Sequence, residues 1–357
     1  MLRFHTIIIV LIGSLAFGRH AAASGPLIPG HILVVDFSTD RVVDIDPATG
    51  AQTSISAGGV FVSLFGIVVE PAGTIAVLDR DAFNMPPPGA GAVLRIDPAT
   101  GQQTPILVRD GLIAAEGFTL GPAGELLVSN FFGDNVIQVD PVTGVTTEVT
   151  ANGLLAGPVG MVARSDGVLF IADNDGPTVI RADLATGMQA LVASAGFLQG
   201  PTGIAIEPSG NLVVADANAG AVIRIVPSTG QQSIVSSGFD LPFGIAVEAD
   251  GNLLVTDSAL GLGRIVRVDP VSGAQTVVAS GGFLSFPTGI VIVPAAPGLP
   301  GDVNGDGAVD LADSLTLTSV LIGSDTNPAH VCAADINNDG ASDGGDIQPF
   351  LQALLGP

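Results

Sequence analysis

The feature that most constrains this chain is its self-similarity. An apolar run ends in Asp or Asn at Asp36, Asp79, Asn130, Asp173, Asp216 and Asp257, in steps of 43, 51, 43, 43 and 41 residues. A turn tract of the type Asp-Pro-x-Thr-Gly ends at Gly50, Gly101, Gly144, Gly187, Gly230 and Gly273, in steps of 51, 43, 43, 43 and 43. A third marker, a Gly before an apolar pair, opens FGIVVEPAG, EGFTLGPAG, VGMVARSDG, TGIAIEPSG, FGIAVEADG and TGIVIVPAAPG. Three markers agree on six units. Units of this length cannot bury their apolar faces alone and must stack on one another.

Each unit parses into four short strands, a to d. Strand a is of the type G-I-x-V, and a tight turn leads to strand b, L-L-V-x-D. Strand c is V-I-R-x-D and strand d is Q-T-x-V-x-S, with the period-2 pattern of half-buried strands. The tract between c and d suits a hairpin, because Pro presets φ and Gly takes the left-handed conformation. Four strands per unit with no helical period between them predict a six-bladed all-β propeller. The first unit lacks a strand a and the last strand a (Gly289 to Val293) lacks a strand b. The C-terminal strand is therefore expected to complete the first blade and close the ring.

The ends read differently. Arg3, the apolar run Thr6 to Phe17 and the A-x-A site at Ala21 to Ala23 have the layout of a secretory signal peptide over residues 1–23. The expected organisation is then a propeller over 24–294, a Pro/Gly linker over 295–301 and a C-terminal domain over 302–357. That last segment holds nine Asp and no Glu, Arg or Lys. Two 12-residue loops stand in it, DVNGDGAVDLAD from Asp302 and DINNDGASDGGD from Asp335. Calcium takes six to eight oxygens, and such a loop wraps positions 1, 3, 5, 7, 9 and 12 around one ion. The expected ligands are Asp302, Asn304, Asp306, the Ala308 carbonyl, Asp310 and Asp313 in the first loop. In the second they are Asp335, Asn337, Asp339, the Ala341 carbonyl, Asp343 and Asp346. Two calcium ions are thus expected. Helices should follow over Leu311 to Ile322 and Ile347 to Leu355. Leu315, Leu317, Val320, Leu321, Phe350, Leu351, Leu354 and Leu355 form the expected small core, and Cys332 is read as a buried small hydrophobe.

Composition narrows the partners. The formal net charge is −23, all 11 basic residues are Arg, and Trp and Tyr are absent. Without a basic cluster the chain does not suit nucleic acid, and after signal cleavage no segment is expected to insert in a membrane. The missing indole and phenol rings weaken a sugar-stacking role. One Cys permits no internal disulfide.

The repeat units, with G-I-A-[VI]-E-[PA]-[SD]-G-N-L-[VL]-V-[AT]-D in the fifth and sixth, resemble the NHL-repeat and SMP-30/gluconolactonase-like propellers over residues 31–294. The paired loops, with Asp at position 12 and no helix before the first loop, resemble a type I dockerin over 301–357. That resemblance implies docking onto a cohesin module and attachment of a secreted protein to a scaffold or cell surface. In cellulosomal members partner choice rests on residues at loop positions 10 and 11, often polar. Here these are Leu311, Ala312, Gly344 and Gly345, a departure that leaves a different cohesin or an intramolecular role open.

Two functions follow as expectations. The first is a secreted, non-enzymatic binding or scaffold propeller attached by its calcium-dependent tail. The second is a metal-dependent hydrolase of the lactonase kind, with Glu116, Asn130, Asp173 and Asp216 as ligands at the channel mouth. The histidines His5, His20, His31 and His330 include none placed for the catalysis that a streptogramin-lyase-like propeller requires. The strand b acids are expected to accept N–H bonds from the following turn. Arg95/Asp97, Arg181/Asp183 and Arg267/Asp269 are expected as surface or inter-blade ion pairs. Phe83 and Met85, in the segment Asp81 to Ala92 that carries eight extra residues, are candidates for a partner contact.

Overall fold

The computed structural model describes residues 26–82, 91–109, 111–259, 262–294, 303, 311–322, 334, 336 and 344–355. The expected signal peptide and linker, Phe83 and Met85, and Cys332 lie outside the described residues.

Among the described residues, 24 strands form six antiparallel four-stranded sheets. The first blade holds β1 (Ile32–Asp36), β2 (Arg41–Ile45) and β3 (Gln52–Ala57) as its b, c and d strands. The second holds β4 (Leu64–Val69), β5 (Ile75–Asp79), β6 (Ala92–Ile96) and β7 (Gln103–Val108). The third is β8 (Ala115–Leu120), β9 (Leu126–Asn130), β10 (Asn135–Val139) and β11 (Thr146–Ala151). The fourth is β12 (Pro158–Ala163), β13 (Val168–Asp173), β14 (Thr178–Asp183) and β15 (Gln189–Ser194). The fifth is β16 (Pro201–Ile206), β17 (Leu212–Asp216), β18 (Ala221–Val226) and β19 (Gln231–Ser237). The sixth is β20 (Pro242–Val247), β21 (Leu253–Ala259), β22 (Leu262–Val268) and β23 (Gln275–Ser280).

The final strand, β24 (Pro287–Ile292), joins the first blade, where Ile32 pairs with Ile292 and Val34 with Ile290. The ring closes through chain ends that are far apart in sequence, as the complementary first and last repeats require. Two further backbone bonds prolong the seam, Gly30 N–H to Val293 O and Val293 N–H to His31 O.

The middle strands are apolar without alternation because both of their faces are buried. On β9, Leu126 and Val128 pack with Leu78 and Val93 of the second blade. Leu127 between them packs with Leu169 and Ile171 of the fourth. Successive residues thus serve opposite neighbours, as period 2 dictates.

Two glycine positions set how closely blades approach. The third residue of each inner strand is Gly, and a Cβ there would overlap the adjacent inner strand: Gly117 against the Val159 carbonyl, Gly160 against Thr202, Gly244 against Thr288. Hydroxyls tie the same seams, with Ser129 donating to Val159 O at 2.7 Å and Thr288 to Leu64 O at 2.9 Å. The Gly ending each c–d turn has φ near +70°, as at Gly144 (φ +69) and Gly273 (φ +72). Its Cα faces a carbonyl on strand d of the preceding blade.

The turn Asp has a role beyond the Pro and Gly of the tract. Asp140 accepts the N–H groups of Val142 and Thr143, and Asp269 those of Val271 and Ser272. These bonds, Thr143 and Ser272 foremost, hold the two carboxyls below the usual carboxylate range.

The expected ion pairs Arg95/Asp97, Arg181/Asp183 and Arg267/Asp269 do not form among the described residues. Asp97, Asp183 and Asp269 cap their own turns. Arg95 instead chelates Glu70 at the end of strand a, and Arg267 chelates Glu248. The same bracket joins Arg224 to Glu207. Arg95 and Arg224 also reach the Pro141 and Pro270 carbonyls of the next blade.

The tail carries α1 (Leu311–Leu321) and α2 (Ile347–Leu355), the second entered through a 3-10 turn at Gly344–Asp346. Pro349 sits in the first turn of α2, where its missing N–H is tolerated. Val303, Leu317, Val320, Ala334 and Phe350 form the core, with Leu321, Ile336 and Leu354 packed against it. Leu315 and Leu351, expected in this core, are instead exposed.

Gly160→Ala is expected to lower stability by about 1–3 kcal/mol, because the inner-strand seam has no room for a methyl group. Urea unfolding checks this; an unchanged midpoint would show that the seam yields.

Candidate functional site

Two places gather chemistry-bearing residues: the channel mouth and the acidic tail. The mouth is the end of the channel where strand b finishes and strand a begins. In every blade the a–b pairing shifts register there.

The strand b acids lie just behind this opening and are fully buried. Their work is structural and wider than the expected turn cap. Asp36 accepts the N–H groups of Ser38 and Thr39 in its own b–c turn, and those of Ser285 and Phe286 in the d–a loop. Asp216 accepts from Gln199 and Gly200 on one side and Ala219 on the other. Asp173 takes Ala156 and Gly176. Asn130 accepts from Ile113 and donates to Gly111 O and to the Asn135 side chain. Asp257 accepts from Asp240 and Leu241 and also pairs with Arg264. Burial pushes Asp79 up to about 6 despite N–H bonds from Val62, Asp81 and Ser63.

Asn130, Asp173 and Asp216 are therefore committed to backbone donors and do not converge with Glu116 as a ligand set. Among the described residues no cluster of three His, Cys, Asp or Glu side chains is placed to hold a metal ion.

Glu116 stands apart. It follows Ala115 at the start of β8 and lines the channel, which encloses about 210 Å³. Its Oε1 accepts a 2.7 Å bond from Arg80, the residue after Asp79. Burial nevertheless pushes the carboxyl up to about 7, with Arg80 lowering it and Asp175 raising it further. Phe65 and Phe243 occupy the same repeat position in other blades and also line the channel. Phe65 packs against Phe37 and Phe243, and Phe37 against Phe286.

The sequence singled out Glu116 but missed Arg80 and this ring stack. The signal was present in the alignment of repeats, where Phe65, Glu116 and Phe243 fall at one position.

In the tail, Asp313 and Asp346, position 12 of each expected loop, are described and fully buried. Asp346 Oδ1 accepts the N–H of Ile336, the second residue of its loop, at 2.7 Å. That bond draws the loop's end back onto its start. Val303 and Ile336, the second residues of the two loops, both pack in the tail core. This wrapped arrangement, with a buried acid closing it, fits an oxygen-loving cation such as calcium. Asp302, Asn304, Asp306, Ala308, Asp310, Asp335, Asn337, Asp339, Ala341 and Asp343 lie outside the described residues.

Residues 300–355 match the family described as the dockerin type I domain. Dockerin domains bind calcium and dock onto cohesins, and they occur in extracellular or cell-surface proteins. No curated protein matches the chain. Among solved structures, a chain of the nidogen/laminin complex is similar at 17% identity and TM-score 0.63, covering 74% of this chain and 98% of that one. Virginiamycin B lyase from Staphylococcus aureus is similar at 16% identity and TM-score 0.54, covering 72% of this chain and 82% of that one. Both likenesses are of the propeller fold. No described helix is long and apolar enough to cross a membrane.

Glu116 ionises near 7 in the fold against an ordinary value of 4.5, so its contribution to stability is full below pH 4.5 and is lost as pH rises toward 7. Urea unfolding between pH 4.5 and 8 should show a decline that Glu116→Gln flattens. Equal slopes for the two proteins would contradict the raised value.

Proposed function

We propose that this chain is a secreted propeller that serves as a binding or scaffold module and is held by its tail. Residues 1–23 direct export and are removed before Ser24. The propeller spans 24–294 and the linker 295–301. Residues 302–357 form a docking domain that two calcium ions fold, one per loop, through the twelve ligands named above. Its partner is a cohesin-type module on a scaffold or cell surface.

The observation that carries this reading is the dockerin match over 300–355. It is supported by two buried acids at the same position of two loops. The tail has few apolar side chains to bury, so metal binding supplies much of its folding energy.

The helices supply a docking face. Leu315 and Ile322, at the outer side of α1 and just past its end, are 75% and 73% exposed. Ile347 and Leu351, one turn apart on α2, are 45% and 40% exposed. Apolar residues left open on both helices of a small domain suit a protein partner. A binding role for the propeller, rather than hydrolysis, is supported by Asn130, Asp173 and Asp216, whose side-chain oxygens are held by backbone donors.

Titration calorimetry of the full chain should find two calcium ions. Asp302→Ala with Asp335→Ala should abolish both binding events and the capture of the chain by an immobilised cohesin, while the propeller still melts cooperatively. Capture that persists in chelator would sink the calcium-dependent reading. Leu315→Asp with Leu351→Asp should weaken capture at least about tenfold with calcium stoichiometry retained, since two apolar anchors are lost.

A further inference from the structure

The channel mouth holds an arrangement that docking does not use. Six residues stand level on the inner strands there: Phe65, Glu116, Val159, Thr202, Phe243 and Thr288. The Thr202 hydroxyl donates to the Ala215 and Pro242 carbonyls, and the Thr288 hydroxyl to those of Leu64 and Val35. The polar function left on this ring is the Glu116 carboxylate. Arg80 takes its Oε1, and among the described residues no hydrogen bond engages Oε2.

Beside the carboxylate lies an aromatic surface. Phe65 meets Phe37 at 5.5 Å and Phe243 at 5.8 Å between ring centroids, and Phe37 meets Phe286 at 5.6 Å. The guanidinium of Arg80 sits 5.5 Å from the Phe65 centroid. A cation of the chain itself thus already lies between an aromatic face and a carboxylate, the two groups that attract positive charge. Asp175 adds negative charge near Glu116, and the chain as a whole carries −23, a field that concentrates cations at the opening. An anion would meet the charge of Glu116 and Asp175, and the Arg80 guanidinium is already paired with Glu116.

We propose that the channel mouth binds a small organic cation, a primary ammonium with an aromatic or branched apolar body. The nitrogen takes Glu116, and the body lies on the surface formed by Phe37, Phe65, Phe243 and Phe286. This rests on the reading of the propeller as a binding module and names its ligand class.

Binding is linked to pH. Burial raises Glu116 to about 7, Arg80 lowers it and Asp175 raises it. Asp79, next to Arg80, has its oxygens on backbone donors. The bound ammonium favours the ionised carboxylate, so binding releases a proton from Glu116 below pH 7 and tightens as pH rises. For a carboxyl ionising at about 7, affinity increases about tenfold between pH 6 and pH 8.

The test is calorimetry of the full chain in calcium, with benzylamine as probe and benzyl alcohol and benzoate as same-shaped controls. Benzylamine should bind at pH 8, about tenfold more weakly at pH 6, and at least tenfold more tightly than either control. Glu116→Gln should remove that preference and the pH dependence. No benzylamine binding, benzoate binding as tightly as benzylamine, or unchanged benzylamine affinity in Glu116→Gln would each overturn the proposal. Should that variant fail to fold, the pH series and the control ligands on the unaltered chain decide the matter. Cohesin capture is measured separately: its loss with benzylamine binding retained counts against the docking reading and supports the ligand assignment.

Discussion

The structure depends on a buried carboxylate, or its amide equivalent, at the end of the second strand of each blade. An unpaired buried carboxylate is unfavourable, and backbone N–H donors compensate it only if they converge from two loops. Asp36 and Asp216 show the arrangement, each joining the loop that enters a blade to the turn that leaves its second strand. Fixing that entry fixes where the inner strand begins. The Gly two residues on then meets the adjacent blade, and the residue between them lines the channel. Glu116 and Phe65 owe their level placement at the mouth to this chain of constraints.

The repeats made the blades legible because their markers are local. Pro-x-Thr-Gly turns, apolar runs and the incomplete first and last units all read along a few residues. Pairing between strands did not read so easily. Sequence proximity pairs Arg95 with Asp97, but alternate residues on a strand share a face only until the strand ends. Asp97 already lies in the turn and caps it, while Glu70, two strands away, comes across to meet the guanidinium. Gln52, Gln103, Gln189, Gln232 and Gln275 give a second case. Their amides bracket the loop of the preceding blade, a contact visible only once blades are laid side by side.

In the tail, both helices were legible, and the division of apolar residues was not. Leu315 and Leu351 carry the same chemistry as Leu317 and Phe350 but lie on other faces of helices too short to bury a full circumference. The propeller and the tail are also held by different physics. Blades bury continuous apolar faces against two neighbours each, whereas the tail has a handful of apolar side chains and two interior acids.

The closing seam has a mechanical consequence. The segment beyond Val293 leads directly out of β24, the innermost strand of the first blade, which is bonded along its length to β1 near the opposite end of the chain. Tension on the tail therefore enters the ring at the strand that closes it. The load falls on the whole row of bonds between β24 and β1 and on the inner strands β4 and β20 that flank β24. The joint that completes the circle is thus also the joint through which any pull on the C-terminal domain must pass.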